Sequence, residues 1–166
     1  MGWIGPRSID GGLDQLPLPA TSGALWLCGK RVVTPDPIAA LERAGRADTI
    51  VCFNERAELE GAHPDYVAWL ESNAGVAAVW HPIPDLHAPP LEEAQRVVAD
   101  LVLRLDAGDG LVLHCAGGIG RAPTMAICVL IRLGMHASDA ARLVAECRPT
   151  AGPEAGAQRT LIDSFV

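Results

Sequence analysis

The chain has 166 residues, of which 49% are hydrophobic and 20% are charged, and its formal net charge is −7. This length fits one domain, and the composition excludes collagen-like repeats, coiled coils and extensive disorder. No apolar run is long enough to cross a bilayer, and the 12 arginines and one lysine are scattered. We therefore expect neither a membrane nor a nucleic acid as a partner.

The five cysteines lack a CxxC pair, and no secretory leader is recognisable at the amino terminus. We therefore expect reduced thiols in a cytoplasmic protein, without a disulfide framework or a metal site.

Residues 1–23 are rich in Gly, Pro and Asp and show no periodicity. We interpret them as an extended arm, anchored by Trp3 and Ile4, that precedes a domain spanning residues 24–166. In the first half of this domain, short apolar runs predict strands and amphipathic runs predict helices. The predicted strands are Ala24–Cys28, Thr49–Phe53 and Val76–Trp80, and the predicted helices are Pro35–Gly45 and His63–Asn73.

The second half of the domain contains the clearest helical patterns. Pro90 begins a helix whose apolar positions follow the spacing of a core-facing stripe. After it we expect the strand Leu111–Leu113, a long apolar helix from Gly120 to Leu133, a helix capped by Ser138, and a last helix near Glu154–Phe165. Strands that alternate with helices predict an α/β fold. We expect a single domain with a mostly parallel central sheet flanked by helices on both faces.

The loop before the long apolar helix reads His114-Cys115-Ala116-Gly117-Gly118-Ile119-Gly120-Arg121. Its three glycines allow backbone N–H groups to turn inward, and the helix presents the positive end of its dipole to the same point. This position favours the thiolate, the reactive form of cysteine, and the arginine can offer a planar fork to two phosphate oxygens. The loop therefore predicts a phosphate-binding site formed by residues 116–121, with Cys115 as the nucleophile.

Such a loop would hold a phosphate dianion over the thiolate, and in-line attack would form a phosphocysteine intermediate. His114 is expected to orient the loop by hydrogen bonds. The alternative interpretation is a tight strand–helix turn that contains a buried cysteine.

The attack also needs a general acid that protonates the leaving oxygen. The stretch His81-Pro-Ile-Pro-Asp85 follows a predicted strand, at the sheet edge where the sites of parallel sheets assemble. Because Asp85 is the only carboxylate in this stretch, we expect it to be the acid. There are two alternatives. Asp85 could be an ordinary turn residue, or His87 could be the acid.

These residues resemble the H-C-x5-R signature of the cysteine-based protein tyrosine phosphatase superfamily, and Asp85 is spaced from Cys115 as in its small dual-specificity branch. The stretches Phe53–Leu59, His81–Asp85 and Leu113–Arg121 are most similar to the cyclin-dependent-kinase-associated phosphatase group. The resemblance implies a dual-specificity-phosphatase-like fold for the catalytic domain. It also implies hydrolysis of phosphomonoesters without a metal or other cofactor. Because Ala116–Gly120 carries no charge and no segment resembles the phosphotyrosine-recognition loop of the larger enzymes, we expect phosphotyrosine, and phosphoserine or phosphothreonine, of proteins as the substrates.

One residue departs from this resemblance. Members of the superfamily usually carry Ser or Thr directly after the arginine, and its hydroxyl stabilises the departing thiolate. Here that residue is Ala122. Loss of the hydrogen bond is expected to slow phosphocysteine hydrolysis by roughly 10- to 150-fold.

Three further residues are weaker candidates. The resemblance implies that Gln158 positions the hydrolytic water, although an ordinary surface helix is the alternative. Arg56 could meet an acidic group of the substrate, or it could pair with neighbouring glutamates in a solvated loop. Cys52 lies on a strand expected beside that of Cys115. By resemblance it could form a protective reversible disulfide with that residue, or it could be a buried apolar thiol.

Several classes of function remain open at this point. The first is an active phosphatase, whose partner would be a phosphorylated protein or a small aryl phosphate, and which we expect to be a monomer. The others are a phosphoprotein-binding pseudophosphatase, a phosphatase acting on glucan or another non-protein substrate, and a thiol redox or sulfur-transfer enzyme. The excess of arginine over lysine and the many alanines indicate a bacterial source.

Overall fold

The computed structural model describes residues 7–165. Within this range, five strands form one sheet in the order β1-β2-β5-β3-β4. The strands are β1 (Leu13–Leu16), β2 (Ala24–Gly29), β3 (Thr49–Cys52), β4 (Ala78–Trp80) and β5 (Gly110–Cys115). Strands β2, β5, β3 and β4 are mutually parallel, whereas β1 pairs antiparallel with β2.

Helices cover both faces of this sheet. They are α1 (Arg7–Asp10), α2 (Lys30–Val33), α3 (Pro37–Arg43), α4 (Pro64–Ser72), α5 (Leu91–Asp106), α6 (Arg121–Arg132), α7 (Ala137–Cys147) and α8 (Gly156–Ser164), with a short 3-10 turn over Arg56–Glu58. One apolar cluster lies between the sheet and α5 to α8, and a second lies between the sheet and α2 to α4. The predicted fold class is therefore confirmed.

Strand β5 lies in the middle of the sheet and is buried along its whole length. Because successive side chains of a strand point to opposite faces, Leu113 and Cys115 join the first cluster and Val112 joins the second. His114 therefore points to the α4 side. This alternation decides what surrounds each residue of the phosphate-binding sequence.

The structure differs from the sequence prediction in three places. The predicted arm contains α1 and the edge strand β1, in which Leu16 is buried. These two elements were not predicted, because each has only four residues, which is too few to show periodicity. Trp3 and Ile4 lie outside the described residues, and the domain boundary at residue 24 stays a prediction. The helix α2 was not predicted. Ser138 was wrongly predicted as a cap, because α7 already begins at Ala137.

Candidate active site

The loop between β5 and α6 has its carbonyl groups turned outward. Four consecutive carbonyls accept hydrogen bonds from groups outside the loop. Ala116 O accepts from Lys30 N at 3.0 Å, Gly117 O and Gly118 O accept from the Arg148 guanidinium at 2.9 and 2.7 Å, and Ile119 O accepts from Gly152 N at 2.9 Å.

This arrangement fixes the direction of the loop's N–H groups. In a planar trans peptide, the carbonyl and the following N–H point in opposite directions. The N–H groups of Gly117, Gly118, Ile119 and Gly120 must therefore point inward, over the end of β5. Within residues 7–165, none of these four groups donates to another backbone carbonyl. They form a concave set of donors that can bind an anion.

One of the glycines is required by its backbone conformation, and a second leaves room for a neighbouring side chain. Gly118 adopts a φ of 68°, which other residues rarely adopt, and a Cβ there would also collide with the carbonyl of Cys28. Gly120 has an ordinary φ, but a Cβ there would collide with the carboxylate of Glu154. The prediction that the glycines allow the turn therefore holds for Gly118, whereas Gly120 provides space.

Arg121 is held in place by a carboxylate that the sequence analysis did not assign to the site. Its two terminal nitrogens each donate to one oxygen of Glu58 at 2.8 Å, and Nη1 also donates to the carbonyl of Ile83 at 2.8 Å. Burial lowers the pKa of Arg121, but its hydrogen bonds to Glu58 and the carboxylate charges of Glu58 and Asp85 raise it, and the net change is upward. The guanidinium therefore stays charged beside Cys115.

Glu58 is in turn held by its own loop. Its side chain accepts hydrogen bonds from the backbone N–H of Glu55 at 2.7 Å and from the amide of Asn54 at 3.0 Å. Burial would raise the pKa of Glu58, but the hydrogen bonds from Arg121, Glu55 and Asn54 lower it to about 2. The capping box of Glu55 and Glu58 is a local pattern, but it gives no sign that Glu58 meets Arg121, which lies 63 residues away in the sequence.

Asp85 lies at the entrance to the loop. Its Oδ1 atom is 3.4 Å from Nη2 of Arg121, and 67% of its side chain is exposed. The same oxygen accepts from the backbone N–H of Leu86, which adopts a left-handed φ of 64°. The structure thus places the carboxylate of Asp85 next to the guanidinium of Arg121. Nδ1 of His87 lies 2.8 Å from the carbonyl of Asp85, so the ring is bound to the backbone of this loop.

Gln158 connects the start of α8 with the Asp85 loop. It is fully buried, so the alternative of an ordinary surface helix position is wrong. Its Oε1 accepts from the backbone N–H of Glu154 at 2.7 Å, and its Nε2 donates to the carbonyl of His87 at 3.3 Å. Gln158 therefore lies close to the site and contacts the loop that carries Asp85.

His114 is buried behind the loop and is hydrogen-bonded on both ring nitrogens. Its Nε2 is 2.6 Å from the hydroxyl of Tyr66, and its Nδ1 is 3.3 Å from the carbonyl of Cys115. Burial lowers the pKa of His114 to about 4, so the ring is neutral at pH 7. Because a carbonyl can only accept, we assign the proton to Nδ1, and Nε2 then accepts from Tyr66.

Cys52 does not face Cys115. Residues 52 and 114 are register partners, so the Cys52 thiol lies in the α2–α4 cluster, whereas Cys115 lies in the opposite cluster. Burial raises the pKa of Cys52 to about 12. The strands are neighbours as expected, but the alternation of side chains separates the two thiols. The structure therefore favours the alternative of a buried thiol.

Arg56 does not reach the loop either. Its guanidinium pairs with Glu71 and lies over the ring of Trp80, 5.1 Å from its centre. Its partner is thus a glutamate of α4 and not one of the neighbouring loop glutamates. These contacts hold the loop after β3 against α4 and β4.

Ala122 is fully buried in the first turn of α6. The nearest hydroxyl along the helix belongs to Thr124, which is also buried and whose Oγ1 has no hydrogen-bond partner among residues 7–165. Two residues correspond to roughly 200° around a helix, so Thr124 faces away from the direction of residue 122. It cannot take the place of the missing hydroxyl.

Two further observations concern the described part of the chain. No three His, Cys, Asp or Glu side chains among residues 7–165 converge to hold a metal ion. None of the helices in this range combines the length and apolar character that a membrane crossing requires.

Two curated proteins are similar in sequence to part of this chain. Cyclin-dependent kinase inhibitor 3 from pig (Sus scrofa) is 31% identical over 93 residues, which are 56% of this chain and 43% of that protein. The rat (Rattus norvegicus) protein of the same name is 30% identical over 93 residues, with the same coverage of each chain. The matched region thus spans less than half the length of these relatives.

The fold is also found in solved structures. A kinase-associated phosphatase with its catalytic-site cysteine substituted by serine superposes with a TM-score of 0.77 at 23% identity, covering 93% of each chain. The phosphatase PTPMT1 superposes with a TM-score of 0.70 at 17% identity, covering 91% of this chain and 92% of that one. At these identities the likeness establishes the fold.

The family is established by a match over more than half of the chain. Residues 36–135 match the sequence model of the family described as "Polymorphic toxin system, DSP-PTPase phosphatase". The matched range includes the Glu58 loop, Asp85 and the whole phosphate-binding sequence. The resemblance to the small dual-specificity branch is therefore confirmed. The chain belongs to the DSP-PTPase phosphatases of polymorphic toxin systems.

Proposed function

We propose that this phosphatase is a cysteine-dependent phosphomonoester hydrolase that acts on phosphotyrosine, and on phosphoserine or phosphothreonine, in proteins. One observation carries the proposal. Four outward-held carbonyls turn the N–H groups of residues 117–120 to the inner side of the loop, which begins after Cys115 and ends at Arg121. Converging donors of this kind bind the equatorial oxygens of a phosphoryl group.

In the first step, the Cys115 thiolate attacks phosphorus and an S–P bond forms while the P–O bond to the substrate breaks. The loop N–H groups and the two Arg121 N–H groups not used by Glu58 and Ile83, on Nε and Nη2, stabilise the charge on the three equatorial oxygens. Asp85, next to Arg121, donates a proton to the leaving oxygen. The dephosphorylated alcohol or phenol leaves.

In the second step, water attacks the phosphorus of phosphocysteine and the S–P bond breaks. Asp85, now a carboxylate, takes the proton from that water, and inorganic phosphate and the thiolate are released. The Ala122 position offers no hydroxyl to the departing thiolate, so we propose that this step is the slower one. Gln158 would act here through the Asp85 loop, since it donates to the carbonyl of His87.

The proposed substrate class rests on what surrounds the loop. Residues 116–120 carry no charged side chain, and Arg121 is already neutralised by Glu58. Beyond Arg121, the loop itself therefore offers no positive side chain to a headgroup with several phosphates, which favours a single phosphomonoester. The exposure of Asp85 indicates an open entrance that can admit a phosphorylated segment of a protein.

The test is hydrolysis of para-nitrophenyl phosphate at pH 6–7 by the full chain, with EDTA present, next to Cys115→Ser. We expect turnover that the substitution abolishes and that EDTA does not affect. Pre-steady-state mixing should show a burst of para-nitrophenol followed by a slower steady rate. Absence of both burst and turnover, in folded protein with a reduced thiol, would refute the proposal.

A second measurement addresses the substrate class. Phosphate release is compared for phosphotyrosine and phosphoserine peptides of the same sequence and for a soluble phosphoinositide. We expect release from the peptides. Preferential release from the phosphoinositide would refute the assignment to protein substrates while leaving the cysteine chemistry in place.

A further inference from the structure

Arg148 has an unusual position for a charged residue. It follows α7 and is fully buried, and it is the largest such side chain in the described part of the chain. Its guanidinium contacts two segments that are distant in sequence: the phosphate-binding loop and the residues that lead into β1. The sequence analysis gave it no place in the site.

Toward the loop, Arg148 holds two peptide groups. Nε donates to Gly118 O at 2.7 Å, and Nη2 donates to Gly117 O at 2.9 Å. By the planarity of the peptide group, these bonds aim the N–H groups of Gly118 and Ile119 at the anion position. Two of the four inward N–H groups thus depend on this one side chain.

Toward the amino-terminal side, the same guanidinium binds residues 11–14, which we call the N-terminal clasp. Nη1 donates to Oδ2 of Asp14 at 2.7 Å, to Gly12 O at 3.0 Å and to Gly11 O at 3.3 Å. Asp14 also pairs with Arg7. The carboxylate of Asp14 supplies the negative charge that a buried guanidinium requires.

We propose that Arg148 is a positioning residue that couples the N-terminal clasp to the phosphate-binding loop, so that anion affinity depends on Asp14. This inference rests on the proposed function of the loop. The guanidinium is a rigid plane, so Nη1 cannot move without moving Nε and Nη2. Loss of the Asp14 charge draws the guanidinium toward water, which releases the carbonyls of Gly117 and Gly118.

The experiment uses the full chain and tungstate, a tetrahedral dianion with the shape of phosphate, as the probe. Binding of tungstate is measured by titration calorimetry for the wild type, Asp14→Asn, Arg148→Lys and Arg43→Gln. The Arg43 variant is the control, since it removes the pair with Asp10, which precedes the N-terminal clasp and accepts from Gly12 N, but leaves Arg148 untouched. Thermal unfolding and para-nitrophenyl phosphate kinetics are recorded for each protein.

We expect Asp14→Asn to weaken tungstate binding and to raise KM by about tenfold, with a smaller change in kcat. This magnitude is typical of residues that orient the groups in direct contact with a bound ion. Arg148→Lys keeps the charge but cannot bond both carbonyls, so it should also weaken binding. Arg43→Gln should bind like the wild type. If Arg148→Lys does not fold, the comparison of Asp14→Asn with Arg43→Gln still tests whether anion affinity depends on Asp14.

Two results would overturn the inference. The first is that the Asp14→Asn variant binds tungstate as tightly as the wild type, even if its thermal stability falls. The second is equal weakening by Arg43→Gln, which would show that general loosening of the segment is responsible. A wild type that turns over normally while these variants are unaffected refutes the coupling alone. A wild type that neither binds tungstate nor turns over refutes the proposed function and the coupling with it.

Discussion

Replacing Glu58 with Gln removes the charge that neutralises Arg121 while keeping the shape of the side chain. Two hydrogen bonds join the side chains of Glu58 and Arg121. Only 1% of the Arg121 side chain and 23% of the Glu58 side chain are exposed. The pKa of Glu58 falls from 4.5 to about 2 in the folded chain. This shift measures how strongly the fold favours the carboxylate over the protonated acid.

The magnitude follows from this shift. At about 1.4 kcal/mol per pKa unit, it corresponds to roughly 3 kcal/mol of folding free energy. Because part of Glu58 remains in water, which screens the pair, we expect Glu58→Gln to lower the free energy of unfolding by about 2 kcal/mol at pH 7. The folded pKa lies below the unfolded one, so this contribution is complete above pH 4.5 and is lost as the pH falls toward 2.

Urea unfolding of the wild type and Glu58→Gln at pH 7 and pH 3 measures this contribution. We expect the difference between the two proteins to shrink by about half or more at pH 3. Glu60→Gln is the matched control, because Glu60 is an exposed carboxylate of the same segment, and it should leave stability unchanged. A difference that is absent at pH 7, or that is equally large at both pH values, would refute the reasoning.

Three further predictions concern the reaction and the buried histidine. Asp85→Asn should lower kcat for para-nitrophenyl phosphate by roughly 100-fold or more, because the leaving oxygen loses its proton donor and the water of the slower second step loses its base; an unchanged kcat would exclude this carboxylate from both roles. Ala122→Ser should leave the burst intact and accelerate the later steady rate by about tenfold in stopped-flow traces; an unchanged steady rate would show that the missing hydroxyl does not limit turnover. Tyr66→Phe should lower the free energy of urea unfolding by about 1–2 kcal/mol, because Nε2 of the buried His114 loses its donor; equal stability would argue against this hydrogen bond.

Much of the fold could be predicted from short stretches of the sequence. The parallel strands, the long helix α5 and the apolar α6 were all predicted, because hydrophobic periodicity is a property of adjacent residues. The same local pattern failed for β1, whose four residues carry too little periodicity and whose strand character comes from pairing with β2. Ser138 was misread as a cap because its residue type favours that position, although α7 starts one residue earlier.

The site shows the same division. The spacing of Cys115, the glycines and Arg121 predicted one loop at one sheet edge, and the structure places Asp85 beside it. Periodicity could not assign Cys52 correctly, because the face that a side chain occupies depends on strand register. One register position separates a thiol beside Cys115 from a thiol on the opposite face of the sheet.

By itself the sequence predicted most of the alternation of strands and helices after residue 24 and the residues of the candidate loop, since both depend on residues close together in the chain. Only the tertiary structure decided which groups support that loop. Glu58, Gln158 and Arg148 reach the site from three different segments. Glu58 binds the Arg121 guanidinium, and Gln158 and Arg148 bind backbone carbonyls. These partners are far away in the sequence and come within hydrogen-bond distance only when the chain has folded, so no local pattern predicts the contacts.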